Sequence, residues 1–169
     1  ELTRHLIQET GALTGDALFF AADAWLAASR VLGQVRIAVA HNQGLADPTR
    51  VVISGGSYGG YATMAGLAYT PELYCAGINY VGVTDIDILL PKAAASSERT
   101  FWYATRIADY TNSTDRKRVH DTSPVHFAER VRVPVLMAYG KNDPRVHIDH
   151  GYDMERALKN AGKIYEMII

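Results

Sequence analysis

One cysteine in 169 residues excludes an internal disulfide, and Cys75 fits no metal-ligand spacing. It stands in the apolar run "LYCAGINYVG", where a buried structural thiol is expected rather than a reactive one. An excess of either charge is also missing: 17 Lys and Arg face 18 Asp and Glu, for a formal net charge of -1. That balance gives no electrostatic reason to expect a nucleic acid or an anionic membrane as partner. The short basic stretch "DRKRVH" (115–120) reads as a solvated helix face. No apolar run is long enough to cross a bilayer, and no signal peptide is visible, which slightly favours the cytoplasm. The chain opens on Glu1 rather than Met, as expected of a processed chain or a piece of a longer one. Repeats and low-complexity tracts are absent.

The composition that remains, 48% hydrophobic and 21% charged, is that of a globular protein. A chain of this length forms one domain and buries about 70% of its unfolded surface. From Pro48 onward short apolar, β-rich runs alternate with helical patterns. Strands are predicted at "RVVIS" (50–54), "AGINYVGV" (76–83), "VPVLMAYG" (133–140) and "KIYEMII" (163–169). Helices are predicted at "YATMAGLAYT" (61–70), stopped by Pro71, and "HIDHGYDMERALKNAG" (147–162), stopped by Gly162. Strands separated by helices predict an α/β fold with a small, mostly parallel sheet and helices on both faces. The polar and aromatic stretch from Pro91 to Glu129 is expected to insert helices between two strands. Upstream, "DALFFAADAWLAASRVL" (16–32) has helical spacing, and "VRIAVAH" (35–41) fits helix or strand, with helix preferred.

The stretch "RVVISGGSYGGYATMAG" (50–66) carries the chemistry. A serine hydroxyl is a weak nucleophile unless a base takes its proton and the chain presents its oxygen. Gly55-Gly56-Ser57-Tyr58-Gly59 is a G-x-S-x-G pattern between a predicted strand and a predicted helix, which is how a nucleophile elbow does the presenting. The Tyr58 N–H would then be one oxyanion donor. The alternative is a glycine-rich corner without chemistry. Two phosphate-binding readings fail on residue identity: a dinucleotide fingerprint needs glycine where Ser57 stands, and a P-loop needs lysine where Tyr61 stands.

An acid should follow the serine in sequence, and Asp143 in "YGKNDPRVHI" lies just past a predicted strand, where loops line the site of an open parallel sheet. The alternative is that "NDP" is a turn and Asp143 caps the next helix. Of the six histidines only His147 and His150 follow Asp143. Both sit at a helix start, too near the acid in sequence to reach the serine, and both are expected to be exposed. "HIDH" lacks a further ligand cluster, so no metal and no cofactor are expected.

From about Asn42 to the end the chain resembles the C-terminal catalytic domain of the prolyl oligopeptidase family of serine peptidases. The matching pieces are "GLADPTRVVISGGSYGGYATMAGLAYTPELYCAGINYVGVTD", "TSPVHFAERVRVPVLMAYGKNDPRV" and "MERALKNAGKIYEMII". The order of "GGSYGGYATM" and "GKNDPRV" is more specific than G-x-S-x-G alone. The family holds oligopeptidases, dipeptidyl peptidases and acylaminoacyl peptidases on an α/β-hydrolase fold. The resemblance therefore implies a truncated α/β-hydrolase domain over residues 1–169, with 1–41 helical and poorly matched. It implies Ser57 as nucleophile, Asp143 as triad acid and Tyr58 as oxyanion donor. Arg145 resembles an arginine that binds a substrate carbonyl, although a salt bridge holding the acid loop is an equal alternative. Trp102 and Tyr103 lie where the family places aromatics around its specificity pocket, with core packing the expected role of at least one. In the family the catalytic histidine follows the last strand, and this sequence stops at Ile169, before that loop. The leading expectation is a serine peptidase acting on short peptides through an acyl-enzyme and inactive by itself. A non-catalytic remnant or assembly module, pairing with a second copy through open sheet edges, and an esterase of relaxed specificity are the alternatives.

Overall fold

The computed structural model describes residues 42–44, 47–88 and 113–169. Four strands form one sheet in the order β1-β2-β3-β4: β1 (Val52–Gly56), β2 (Ala76–Tyr80), β3 (Val135–Ala138) and β4 (Tyr165–Ile168). Every neighbouring pair is parallel, so all four carboxyl ends open onto one rim. The helices are α1 (Tyr58–Tyr69), α2 (Ser113–Thr122) and α3 (Asp149–Asn160). Tighter 3-10 turns cover Pro48–Arg50, Pro71–Leu73 and Pro124–Arg130. The predicted strands and helices from residue 50 to 88 and from 133 to 169 are all present, with ends shifted by a few residues. The segments 16–32 and 35–41 lie outside the described residues.

Helix α1 is apolar on every side, so it has to be buried; Met64, Ala65 and Leu67 have no exposed surface. It ends where Thr70 turns back to the Gly66 carbonyl and Pro71 removes the next donor. Helix α3 is amphipathic, with His150, Gly151, Met154 and Leu158 on its buried stripe. Gly162, at φ 65, closes it: its N–H donates to Lys159 O and the Lys163 N–H to Leu158 O, the paired bonds of a Schellman cap. In α2 only Val119 is buried; Arg116 and Lys117 are exposed as expected, while Asp115 and Arg118 are half-buried and pair at 3.2 Å.

The strands show which face holds the core. Register aligns Ile53, Gly77 and Val135 across one face, and Gly55, Asn79 and Met137 one step further along. Met64 and Leu67 of α1, Val135 and Met137 of β3, Ala128 and Val131, and Met154 and Leu158 of α3 pack there as one cluster. The opposite face carries Val52, Ile78, Tyr80 and Ile168, all exposed among the described residues. Cys75 corrects an expectation: it is exposed, not buried. It precedes the first β2 residue, in the turn at the amino-terminal rim, where its amide bonds Val51 O and its side chain misses the core. No helix among the described residues is long and apolar enough to cross a membrane.

Candidate active site

Ser57 stands between the last residue of β1 and the first of α1, with φ 56 and ψ -116. A side-chain-bearing residue in that region costs about 1–3 kcal/mol and persists only where its surroundings enforce it. Here two backbone bonds enforce it: the Ser57 N–H donates to Tyr80 O at 2.9 Å, and Ser57 O accepts from the Tyr61 N–H at 3.1 Å. Serine at a helix N-cap normally folds its hydroxyl onto the first amides. Ser57 makes no such cap bond and is exposed, so its Oγ stands proud of the turn.

Small residues make the sharp turn sterically feasible. A Cβ on Gly55 would lie 2.4 Å from the Gly59 carbonyl oxygen, which is not survivable without moving the helix. At the residue after Gly59, Gly60 lies against Gly82 beyond β2: a Cβ on Gly60 would come within 2.6 Å of the Gly82 Cα. Tyr58, as first residue of α1, contributes its N–H to the helix's amino-terminal turn, the turn whose amides a helix does not use internally. Burial pushes its phenol pKa up, and its ring packs against that of Tyr61 with centroids 5.5 Å apart.

Behind this turn lies a buried polar lock that sequence reasoning did not single out. Asn79, one residue from the carboxyl end of β2, has no exposed surface. Its Nδ2 donates to the Tyr139 hydroxyl at 3.0 Å, and Tyr139 donates onward to Gly82 O at 2.8 Å. Burial pushes the Tyr139 pKa up to about 12. The Asn79 Oδ1 presses between Gly60 and Gly82 and has no hydrogen-bond donor among the described residues. An amide inside the apolar run "AGINYVGV" was the available signal, since buried polar groups exist to be bonded.

Asp143 follows β3, two strands away from Ser57 on the same rim; at about 4.8 Å per strand the two loops leave the sheet roughly 10 Å apart. Its Oδ1 accepts from the Arg145 N–H at 2.8 Å and the Val146 N–H at 3.1 Å. These amides hold the carboxyl below the usual aspartate range, with the Arg145 charge adding a smaller push. The turn reading of "NDP" is therefore correct locally, but α3 begins at Asp149, so Asp143 does not cap it. Oδ2 has no hydrogen-bond partner among the described residues. The Arg145 side chain is exposed and forms no ion pair among the described residues; its amide, not its guanidinium, organises the acid loop. Trp102 and Tyr103 lie outside the described residues.

His147 is exposed at the helix start as expected, with Nδ1 3.0 Å from Asp149 Oδ2. His150 is not exposed: only 1% of its surface remains accessible. It falls on the inward stripe of α3, where its Nδ1 accepts from the Asp85 N–H at 3.4 Å and its carbonyl accepts from the Thr84 hydroxyl at 2.6 Å. His120 and His126 converge on Asp87, away from either loop in bonding terms. His5 and His41 lie outside the described residues.

Similarity to known proteins agrees with this geometry. A dipeptidyl aminopeptidase BIII from Pseudoxanthomonas mexicana is 36% identical over 110 residues, covering 62% of this chain and 15% of the relative. Dipeptidyl peptidase family member 6 of Caenorhabditis elegans is 34% identical over 123 residues, covering 69% of this chain and 16% of the relative. Among solved structures, a puromycin-hydrolyzing peptidase of Mycobacterium tuberculosis superposes with a TM-score of 0.66 at 29% identity, covering 79% of this chain and 20% of the other. An acylaminoacyl peptidase of Pyrococcus horikoshii gives 0.65 at 28% identity, covering 78% and 21%. The chain thus spans about a sixth to a fifth of the length of these proteins, and these structures are α/β-hydrolase peptidases. Residues 34–169 match the profile of the prolyl oligopeptidase family, and with the serine elbow and the acid loop on one rim of a parallel sheet, this chain belongs to that family.

Proposed function

We propose that this chain is the part of a serine peptidase's catalytic domain that carries the nucleophile and the acid. The observation that supports it most is the backbone of Ser57, held at φ 56 and ψ -116 with its hydroxyl making no helix cap. In this reading Ser57 Oγ attacks the carbonyl of a short peptide, and its proton passes to a histidine oriented by the Asp143 Oδ2. The charge that develops on the carbonyl oxygen meets the Tyr58 N–H. The amine leaves with the histidine's proton, and water then hydrolyses the acyl-serine. Arg145, exposed beside the acid, binds a carbonyl of the substrate with its fork of donors. The names of the relatives, aminopeptidases and acylaminoacyl peptidases among them, favour peptide over ester substrates.

The described histidines all have other engagements: with Asp149, with the Asp85 amide, or with Asp87. Loss of the base alone costs a serine protease roughly 10⁶ in kcat. The chain by itself is therefore expected to turn over peptides very slowly while still presenting its serine. Intact mass after prolonged exposure to a fluorophosphonate probe, with imidazole in solution standing in for the base, tests this. One adduct per chain, absent in Ser57→Ala, is the expected result; no adduct on a folded parent after prolonged exposure would overturn the proposal.

A further inference from the structure

Away from the serine, three segments bring together side chains that the sequence keeps far apart. Asp87 sits in the helical turn at 86–88 beyond β2, His120 at the end of α2, and His126 in the 3-10 segment that follows. His126 Nε2 lies 3.4 Å from Asp87 Oδ2, and His120 Nδ1 lies 3.9 Å from the same oxygen. One ligand atom from each residue falls within 4.8 Å of the other two. We propose that Asp87, His120 and His126 form a binding site for a divalent transition-metal ion, with Zn²⁺ as its best fit.

The donor set is two imidazoles and one carboxylate, the mixture that suits zinc and its first-row neighbours rather than calcium or magnesium. Zinc–ligand bonds of about 2.0–2.2 Å put tetrahedral ligand atoms roughly 3.4 Å apart. The Asp87–His126 pair already has that separation, and His120 has to close by less than about 1 Å on the acid. The two rings are stacked, centroids 3.8 Å apart and 23° between planes, so His120 must also tilt to aim its nitrogen. It is the most exposed of the three at 55%, whereas His126 and Asp87 are 28% and 32% exposed.

The scaffold beneath the cluster is built, not incidental. The Asp87 N–H donates to Asp85 Oδ1 at 2.8 Å, fixing the peptide that carries the acid. The Ile86 N–H donates to Ser123 Oγ at 2.9 Å, and that hydroxyl donates to Val119 O at 2.8 Å, tying the turn to α2. The Val125 N–H bonds Thr84 O at 3.1 Å, tying in the third segment. Three protein ligands leave a fourth position for water, and the ion would clamp the chain leaving β2 to the chain entering β3.

Calorimetric titration of the metal-free chain with Zn²⁺, with Co²⁺ absorption in parallel, tests the site directly. We expect one equivalent bound, affinity reduced at least about tenfold in His120→Ala and in His126→Ala, and no change in His147→Ala. Zn²⁺ should raise the Tm of the parent and leave that of the two variants unmoved. Failure of the parent to bind would mean a plain ion-pair cluster, and undiminished binding in both variants, or loss in His147→Ala, would place the metal elsewhere; each overturns the proposal. His120→Ala removes an exposed ring, so folding is not at risk in that arm. Ser57 takes no part in these readouts, so they stand or fall separately from the peptidase reading.

Discussion

A hydroxyl at a helix N-cap ordinarily stabilises the helix, and Ser57 forgoes that gain while its backbone sits in a strained region. Glycine occupies that region without penalty. Ser57→Gly is accordingly expected to raise unfolding free energy by about 1 kcal/mol in a urea titration while abolishing probe labelling. Asp143 works the other way. Its folded pKa is lowered from the ordinary 3.8 by the Arg145 and Val146 amides. The unfolded chain thus binds more protons between the two values, and stability rises with pH through that window. The contribution is complete above the unfolded value and lost as pH falls through the folded one. Asp143→Asn should be less stable than the parent at neutral pH, with the gap closing below pH 3.8, as chemical denaturation at several pH values will read.

At the scale of elements, the contact between α1 and the ends of β1 and β2 decides whether the serine is presented. Gly59 and Gly60 are neighbours with opposite surroundings: a Cβ on Gly59 meets nothing within 4 Å, whereas one on Gly60 meets Asn79 Oδ1 at 2.5 Å and the Gly82 backbone. Gly59→Ala is expected to stabilise the chain by about 0.5–1 kcal/mol through helix propensity. Gly60→Ala is expected to cost about 1–3 kcal/mol by pushing α1 off β2. Thermal unfolding of the two variants side by side gives the comparison. The elbow was legible in the sequence because its requirements are local: a β-branched run, glycines around one serine, then helix formers. The lock of Asn79, Tyr139 and Gly82 was not, because its partners stand up to 60 residues apart in the chain. His150 was misjudged for a related reason: a polar side chain near a helix start reads as exposed until the packed stripe of α3 is known.

At the scale of the whole molecule, the larger buried cluster among the described residues joins α1, β3, the 124–131 segment and α3 on a single face of the sheet, and a smaller one joins Tyr61 and Ala65 of α1 to Ile86 and Val119. Met154 has no exposed surface and touches the larger cluster from α3. Met154→Ala is expected to cost about 2–5 kcal/mol, and loss of α3 and of the elbow should occur in one transition when followed by far-UV circular dichroism and by probe labelling.

The sequence by itself determined the alternation of strands and helices, the serine elbow and the acid turn, because periodicity, glycine sterics and turn chemistry act over a few residues. Only the tertiary structure decided that the two loops leave the sheet two strands apart, that Cys75 lies outside the core and His150 within it, and that Asp87, His120 and His126 meet. Those outcomes depend on strand order and on which side of each element faces the sheet. Such relations arise from burying apolar surface across the whole chain, and no short stretch of residues encodes them.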